Sequence, residues 1–259
     1  MAATVAPALA PDLEAALRRL KLAAVRRLAP ELLMTAHTQR WAPDELMRTV
    51  LEAELAARDA SNARARLRAA GLPVRKTLDE FAVAESSVPR ATFDDLASLE
   101  WIRPKENLVL LGPAGTGKSH LSIALGVQAA RRGYRVAFAT ARQWGTRLGT
   151  AKRAGRLDEE LERLGRIPLL IVDEVGYIPF DPEAAALFFA LISLRYERRS
   201  LIVSSNKTFS AWAEIFGDPV AVAAMVDRLV DHAEVIVLKG ESYRLRGKRE
   251  EVLTAEKDR

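Results

Sequence analysis

NLVLLGPAGTGKSHLSIAL, from Asn107 to Leu125, sets an apolar run before a glycine-rich turn, a lysine and a hydroxyl, and a second apolar run after them. The turn is Gly112-Pro113-Ala114-Gly115-Thr116-Gly117-Lys118-Ser119. It meets every fixed position of the pattern G-x-x-x-x-G-K-[ST], in the required context of strand before and helix after. Glycines permit backbone conformations in which successive N–H groups point inward at phosphate oxygens, and the start of the following helix adds the positive end of its dipole. In this reading Lys118 reaches the β and γ phosphates of a bound nucleotide and the Ser119 hydroxyl ligates Mg2+.

A phosphate cradle of this kind needs a carboxylate element to hold the metal and prepare a water. LLIVDEVGYIPF supplies one: a buried-strand pattern ends in Asp173 and Glu174, at the sheet edge where ligands of open parallel sheets collect. Asp173 is the metal-side acid and Glu174 the general base toward water, a pairing that favours hydrolysis over transfer to a small acceptor. The next strand pattern, SLIVSSN, ends in Asn206, whose amide is placed to meet the γ-phosphate or the attacking water. Arg228 lies on an amphipathic stretch just before the last strand pattern. It reads either as a surface partner of Asp227 or Asp231, or as an arginine finger serving a neighbouring subunit.

Around these motifs the chain divides by texture. From Leu13 to about Ala70 apolar residues recur three and four apart, with Pro43 suited to a first helical turn and Gly71 and Pro73 to a stop. A breaker-rich linker follows. Beyond a boundary near residue 95, strand patterns at 107–112, 135–140, 169–174, 200–206 and 234–239 alternate with helices starting near Lys118, Arg142, Pro182, Thr208 and Val220. The expected fold class is α/β, a P-loop NTPase three-layer sandwich on a five-stranded parallel sheet, preceded by a small all-α amino-terminal domain. Residues 1–95 form a helical domain plus linker, and 96–259 the nucleotide-binding domain.

Composition narrows the chemistry. The 259 residues are 49% hydrophobic and 28% charged, and none is cysteine, which removes disulfides, thiolate metal sites and cysteine nucleophiles. The three histidines, His37, His120 and His232, show no metal-ligand spacing. No apolar run approaches a membrane span and no signal peptide is legible, so a soluble cytoplasmic protein is expected. A net charge of +5 is compatible with a polyanionic partner.

Taken together, GPAGTGKSHLSIALG, LLIVDEVGYIPFD, ALISLRYERRSLIVSSN, AWAEIFGD, DRLVDHAEVIV and GESYRLR resemble the IstB-like ATP-binding proteins, helper ATPases of bacterial insertion sequences. That family is related to helicase loaders typified by DnaC, within the AAA+ group of ASCE-type P-loop proteins. The resemblance is dense over about Asn107 to Arg246. It implies ATP binding by Gly112 to Ser119, with His120 adjoining, Mg2+ at Asp173, hydrolysis through Glu174, a sensor role for Asn206 and a finger role for Arg228. It further implies a homo-oligomer that binds DNA without marked sequence preference and works with the transposase of the same element. Ser119 stands where threonine is common, which keeps the hydroxyl. Little chain follows the last strand pattern, so no lid arginine is assigned. The alternatives are a DnaC-like helicase loader, which shares the site chemistry, and a non-hydrolysing DNA-binding scaffold with a degenerate nucleotide site, against which the intact Lys118, Ser119, Asp173 and Glu174 argue.

DNA contacts rest on ARQWGTRLGTAKRAGR, where Arg142, Arg147, Lys152, Arg153 and Arg156 form a basic segment at the place where the related loaders carry a DNA-contacting insertion. Such a cluster would follow phosphates rather than read bases. A solvated helix face is the other reading.

Overall fold

A computed structural model of the chain describes residues 7–240, 242 and 243. Of the GESYRLR string, Glu241 and Arg244 to Arg246 therefore lie outside the described residues. The chain divides into two compact units, Met1–Ala65 and Arg66–Arg259.

In the first unit α1 (Pro11–Arg19) and α2 (Ala23–Gln39) accompany α3 (Pro43–Ala69), which continues past the unit's end. Pro11 and Pro43 open their helices, where a missing N–H costs nothing. Leu17, Val25 and Ala29 make the small core, with Leu9, Leu22 and Val50 against it. No side chain of its own N-cap residue closes the start of α2. Instead Glu54 of α3 accepts Ala24 N at 2.9 Å and Val25 N at 3.1 Å, and Arg58 Nε donates to the same carboxylate at 2.9 Å. Those bonds, Arg58's foremost, hold the Glu54 carboxyl below the usual carboxylate range. Such a group contributes stability above its unfolded value near 4.5, and that contribution disappears as pH falls through the lower folded value.

The second unit is a parallel sheet with helices on both faces. Its strands are β1 (Asn107–Leu111), β2 (Val136–Thr140), β3 (Leu169–Val175), β4 (Ser200–Ser205) and β5 (Ala233–Val237), in the spatial order β2-β3-β4-β1-β5. Helices on both faces leave the central strands no exposed side. β1 and β4 are buried at every position, which is why they read as unbroken apolar runs rather than as alternating patterns. Alternate strand residues feed two cores. Leu170, Val172, Leu201 and Val203 join the core under α6 (Ala141–Arg153), α8 (Pro182–Arg195) and α10 (Pro219–Val230). Leu108, Leu110, Ile171 and Ile202 join the one under α4 (Arg90–Ser98) and α5 (Lys118–Arg131).

Residues 66–95, grouped by texture with the amino-terminal helices, lie within this second unit. Ala70, Phe81, Val88 and Phe93 enter its core, and Ala70 O accepts Phe138 N at 2.8 Å, covering the outer edge of β2. The texture change near residue 95 marks where strands begin rather than where packing changes. The helix expected from Arg142 begins one residue earlier, at Ala141, where Thr140 and Gln143 form a reciprocal capping box. A further helix, α7 (Leu157–Gly165), follows it, and the stretch from Thr208 divides into a short turn and α9 (Trp212–Phe216) before α10.

Arg195 at the end of α8 ties this unit together at the entry edge of the sheet. Its buried guanidinium donates to the carbonyls of Leu164 (2.9 Å), Ile167 (3.1 Å), Pro168 (3.3 Å) and Ser200 (2.6 Å). Burial pushes it down to about 9, so it stays protonated at neutral pH. Arg195→Met would keep the volume and orphan those carbonyls. The expected loss is about 3 kcal/mol, read as a lower denaturant midpoint with unchanged slope. In the first unit, Glu54→Gln should flatten the pH dependence of thermal unfolding between about pH 5 and about pH 3, measured against wild type.

Candidate active site

The phosphate cradle is built where β1 ends. Gly112, Gly115 and Gly117 all have positive φ, at 141°, 84° and 99°. Space, as well as backbone conformation, requires two of them: a Cβ on Gly112 would stand 2.1 Å from Leu238 O, and one on Gly115 would stand 2.1 Å from Ser242 Oγ. Thr116 Oγ1 donates to Pro113 O at 2.9 Å, closing the loop on itself, and Gly117 caps α5. The Lys118 ammonium is nearly buried and donates to Gly112 O and Pro113 O, each at 2.6 Å, so it lies along the loop it serves.

The strand order delivers the acids. Ser119 Oγ, at the start of α5, donates to Asp173 Oδ1 at 3.1 Å, and Asp173 is only 4% exposed. Beyond Val172↔Val203 the β3–β4 ladder shifts register and resumes at Val175↔Ser205, so Asp173 and Glu174 together oppose the single residue Ser204. This is a β-bulge, a device that re-aims side chains at strand ends. Glu174 takes φ 62° there and is exposed while both its neighbours are buried. Ser204, which the sequence reading missed, donates to Asp173 Oδ1 and accepts Glu174 N at 3.1 Å. Its only sequence signal was a hydroxyl two positions before Asn206.

Asn206 N donates to Val175 O at 3.4 Å, which places this residue beside the bulge. Its Oδ1 is buried with no hydrogen-bond partner, and Gly176, with φ 106°, passes so close that a Cβ there would lie 2.6 Å from it. His120 turns to the segment preceding the sheet: its Nε2 lies 3.3 Å from Thr77 O and its ring meets Phe81 edge-on at 5.4 Å. Phe81 also borders Gly117, so residues 77–81 flank the cradle, another contribution unreadable from sequence.

Arg228 is not part of this cluster. Its Nη1 donates to Ala224 O at 3.0 Å and its guanidinium lies 5.1 Å from the Phe189 ring centre. The adjacent Leu229 O accepts Asn107 Nδ2 at 3.1 Å, at the first residue of β1, whereas the cradle begins after its last. A strand of that length separates the two by roughly 15 Å. The basic segment is likewise broken up. Arg147 pairs with Glu160 of α7 at 2.5 Å and lies 5.3 Å from the Trp144 ring centre, and Lys152 pairs with Glu183 at 2.9 Å. Arg153 Nη2 donates to Thr150 Oγ1 at 3.3 Å, while Arg142 and Arg153 line a groove of about 380 Å³ against Phe180 and Ile178. Arg156 borders a smaller hollow with Glu159 and Arg163. His232 lies 3.5 Å from Asp231 and 3.9 Å from Glu197, on the exposed surface.

Comparison with known proteins places the chain in a family. The family model described as IstB-like ATP binding protein matches residues 15–251. This chain belongs to that family. An insertion sequence IS21 putative ATP-binding protein of Pseudomonas aeruginosa is 40% identical over 239 residues, covering 92% of this chain and 90% of the relative. The corresponding IS5376 protein of Geobacillus stearothermophilus is 41% identical over 215 residues, covering 83% and 86%. Among solved structures, AMPPCP-bound DnaA from Aquifex aeolicus aligns at TM-score 0.56 and 22% identity, covering 71% of this chain and 56% of DnaA. The DnaC helicase loader aligns at TM-score 0.50 and 20% identity, covering 63% and 96%. Both likenesses concern the fold.

As a member of the IstB-like family the chain is a P-loop ATPase, and its α/β fold is shared with DnaA. The cradle fits a nucleotide's phosphates in one respect the structure shows: a side chain at Gly112 or Gly115 would collide with Leu238 O or Ser242 Oγ, as suits a loop that grips phosphate through its backbone N–H groups. A serine hydroxyl beside a carboxylate is an all-oxygen donor set of the kind Mg2+ accepts. Lys118→Ala should lower ATP affinity by about a hundredfold or more, checked by fluorescent-nucleotide titration. Gly112→Ala should abolish binding through steric conflict with Leu238 O rather than lost charge, and should also lower apo stability.

Proposed function

We propose that this protein is an ATP-dependent, DNA-binding helper of a transposase, assembling as a homo-oligomer on target DNA when ATP is bound. One observation carries the catalytic part: Glu174 is turned out of the strand by the bulge while Asp173, one residue before it, is held in contact with Ser119. An outward carboxylate beside a buried one separates the two tasks, Asp173 holding Mg2+ with Ser119 and Glu174 accepting a proton from the attacking water. Lys118 and the cradle hold the phosphates, with His120 and residues 77–81 at their flank. Asn206, with its buried unpaired oxygen beside the bulge, fits a sensor of the γ-phosphate or the water.

Arg228 supports the oligomeric part. Its place at the sheet edge opposite its own cradle suits a guanidinium offered to a neighbouring subunit's nucleotide, so that ATP bridges two protomers. DNA contacts are ascribed to Arg147, Lys152, Arg153 and Arg156. Arg156 and Arg153 are the more available of these, because Arg147 and Lys152 must exchange Glu160 and Glu183 for phosphate. The transposase partnership rests on membership of a family whose named relatives belong to insertion sequences. Action in the cytoplasm, where such elements move, accords with the finding that no helix among the described residues is long and apolar enough to cross a membrane.

Glu174→Gln should lower kcat by about a hundredfold or more and retain ATP, stabilising the oligomer in sedimentation. Arg228→Ala should lose hydrolysis by about a thousandfold yet bind ATP. Mixing it with Lys118→Ala, which keeps the finger but not the nucleotide, should restore part of the turnover. No recovery on mixing would remove the bridging role. Strand transfer by the transposase encoded beside this protein, scored with ATP, a non-hydrolysable analogue and no nucleotide, tests the helper role. Equal transfer under all three would refute it, and co-purification with a replicative helicase would point instead to a loader.

A further inference from the structure

We propose that Ser204 is a positioning residue for hydrolysis, the single hydroxyl that fixes both acids of the site at once. The inference rests on the hydrolytic reading above and assigns a role to a residue outside its motifs.

In a regular parallel ladder the backbones of β2 and β4 would satisfy alternate N–H groups of β3. The extra residue in β3 breaks that sequence, because Asp173 and Glu174 face only Ser204 before pairing resumes at Val175. Within the bulge the Glu174 N–H is taken by a side chain: Ser204 Oγ accepts it at 3.1 Å. The same oxygen carries one proton, and that proton is donated to Asp173 Oδ1. One hydroxyl thus accepts from the backbone N–H of one acid and donates its only proton to the side chain of the other.

Ser204 is only 1% exposed, so neither bond competes with water. The second hydroxyl on Asp173 Oδ1, from Ser119 at 3.1 Å, comes from the opposite structural source, the start of α5. Asp173 is therefore gripped from two directions by oxygens of fixed origin, and its rotation about Cβ is restrained before any metal arrives. Groups that orient a metal-side ligand from behind change metal affinity and rate without touching the metal themselves. The link to Glu174 acts on conformation. A non-glycine residue at φ 62° is held in a sparsely populated region, and the bond to its N–H is one of the contacts that keep it there. Ser204 also lies two residues before Asn206, and the adjoining Ser205 Oγ donates to Val175 O at 2.8 Å. A shift of the β4 exit on contact of Asn206 with the nucleotide would therefore pass to both acids through Ser204.

Removing the hydroxyl should act on Mg2+ use and turnover, not on nucleotide grip. Ser204→Ala is expected to lower kcat by ~10–100-fold and raise the Mg2+ concentration needed for half-maximal activity several-fold. Binding of a fluorescent ATP analogue in EDTA should stay within about twofold of wild type. Ser204→Thr, which keeps the hydroxyl, should restore the Mg2+ dependence. Ser204→Cys, nearly the same size with a weak donor, should behave like Ser204→Ala and serves if the alanine variant does not fold.

A purely structural role would reduce the active fraction and the melting temperature but leave the Mg2+ midpoint of the surviving enzyme unmoved. That result, or a cysteine variant with wild-type Mg2+ dependence, would overturn the proposal. Wild-type protein that fails to hydrolyse ATP, alone or with DNA, would instead sink the hydrolytic reading on which it stands.

Discussion

The pairing of β1 with β4 and of β4 with β3 is the constraint from which the site follows. Ser119 and Asp173 are 54 positions apart in the chain, yet their side chains meet at 3.1 Å. They meet because one is placed by the helix that leaves β1 and the other by a strand two positions away in the sheet. Every strand runs the same way, so all the carboxyl ends open on one edge, and crossover helices cover both faces. The glycine loop, Asp173 and Glu174 therefore share one edge of the sheet. Residues 66–102 complete the unit by filling the core under α4 and α5 and by covering the exposed edge of β2.

Polar groups gather at that edge for a physical reason. The strand interiors are buried on both faces and admit only apolar side chains, whereas the last residues lie where the ladder ends and backbone groups lose their partners. Ser204 and Ser205 replace those partners, one serving the bulge and the other the carbonyl of Val175. Asn206 is the exception, with a buried oxygen that no protein group satisfies. An unpaired buried acceptor costs stability, and such costs persist where function requires the group to be available. At the entry edge the accounting differs: Arg195 satisfies four carbonyls from one guanidinium, and its role is architectural.

Charge on the flank of the sheet is less concentrated than a run of basic letters suggests. The turn at Gly155 folds α7 back toward α6, bringing Glu160 to Arg147, while Glu183 of α8 meets Lys152. Surface ion pairs of this kind contribute little to stability and exchange readily, so they leave the surface unlocked. Arg228 illustrates the same point on a helix that packs on β1: its stem and guanidinium are held by Ala224 O and the Phe189 ring, and its acidic neighbours in sequence are not what positions it.

Much of the fold and half of the site were legible in the amino-acid order. The glycine spacing around Lys118 specifies a phosphate loop because only glycine tolerates the required φ values, and the unbroken apolar runs specify strands buried on both faces because polar residues there would be unsatisfied. Asp173 and Glu174 were readable as a pair for the same reason, two acids at the end of such a run. What the order could not contain was anything decided by one strand's register against another. The bulge that turns Glu174 outward, the insertion of Ser204 behind both acids and the neutralisation of Arg147 all depend on contacts between residues at least 13 positions apart. The placement of Phe81 beside Gly117 is of the same kind, with no local pattern to mark it. Local sequence determines backbone preference and burial, because those are properties of neighbours along the chain. Tertiary packing alone decides which side chains share a hydrogen bond, because that depends on how far each strand slides against the next.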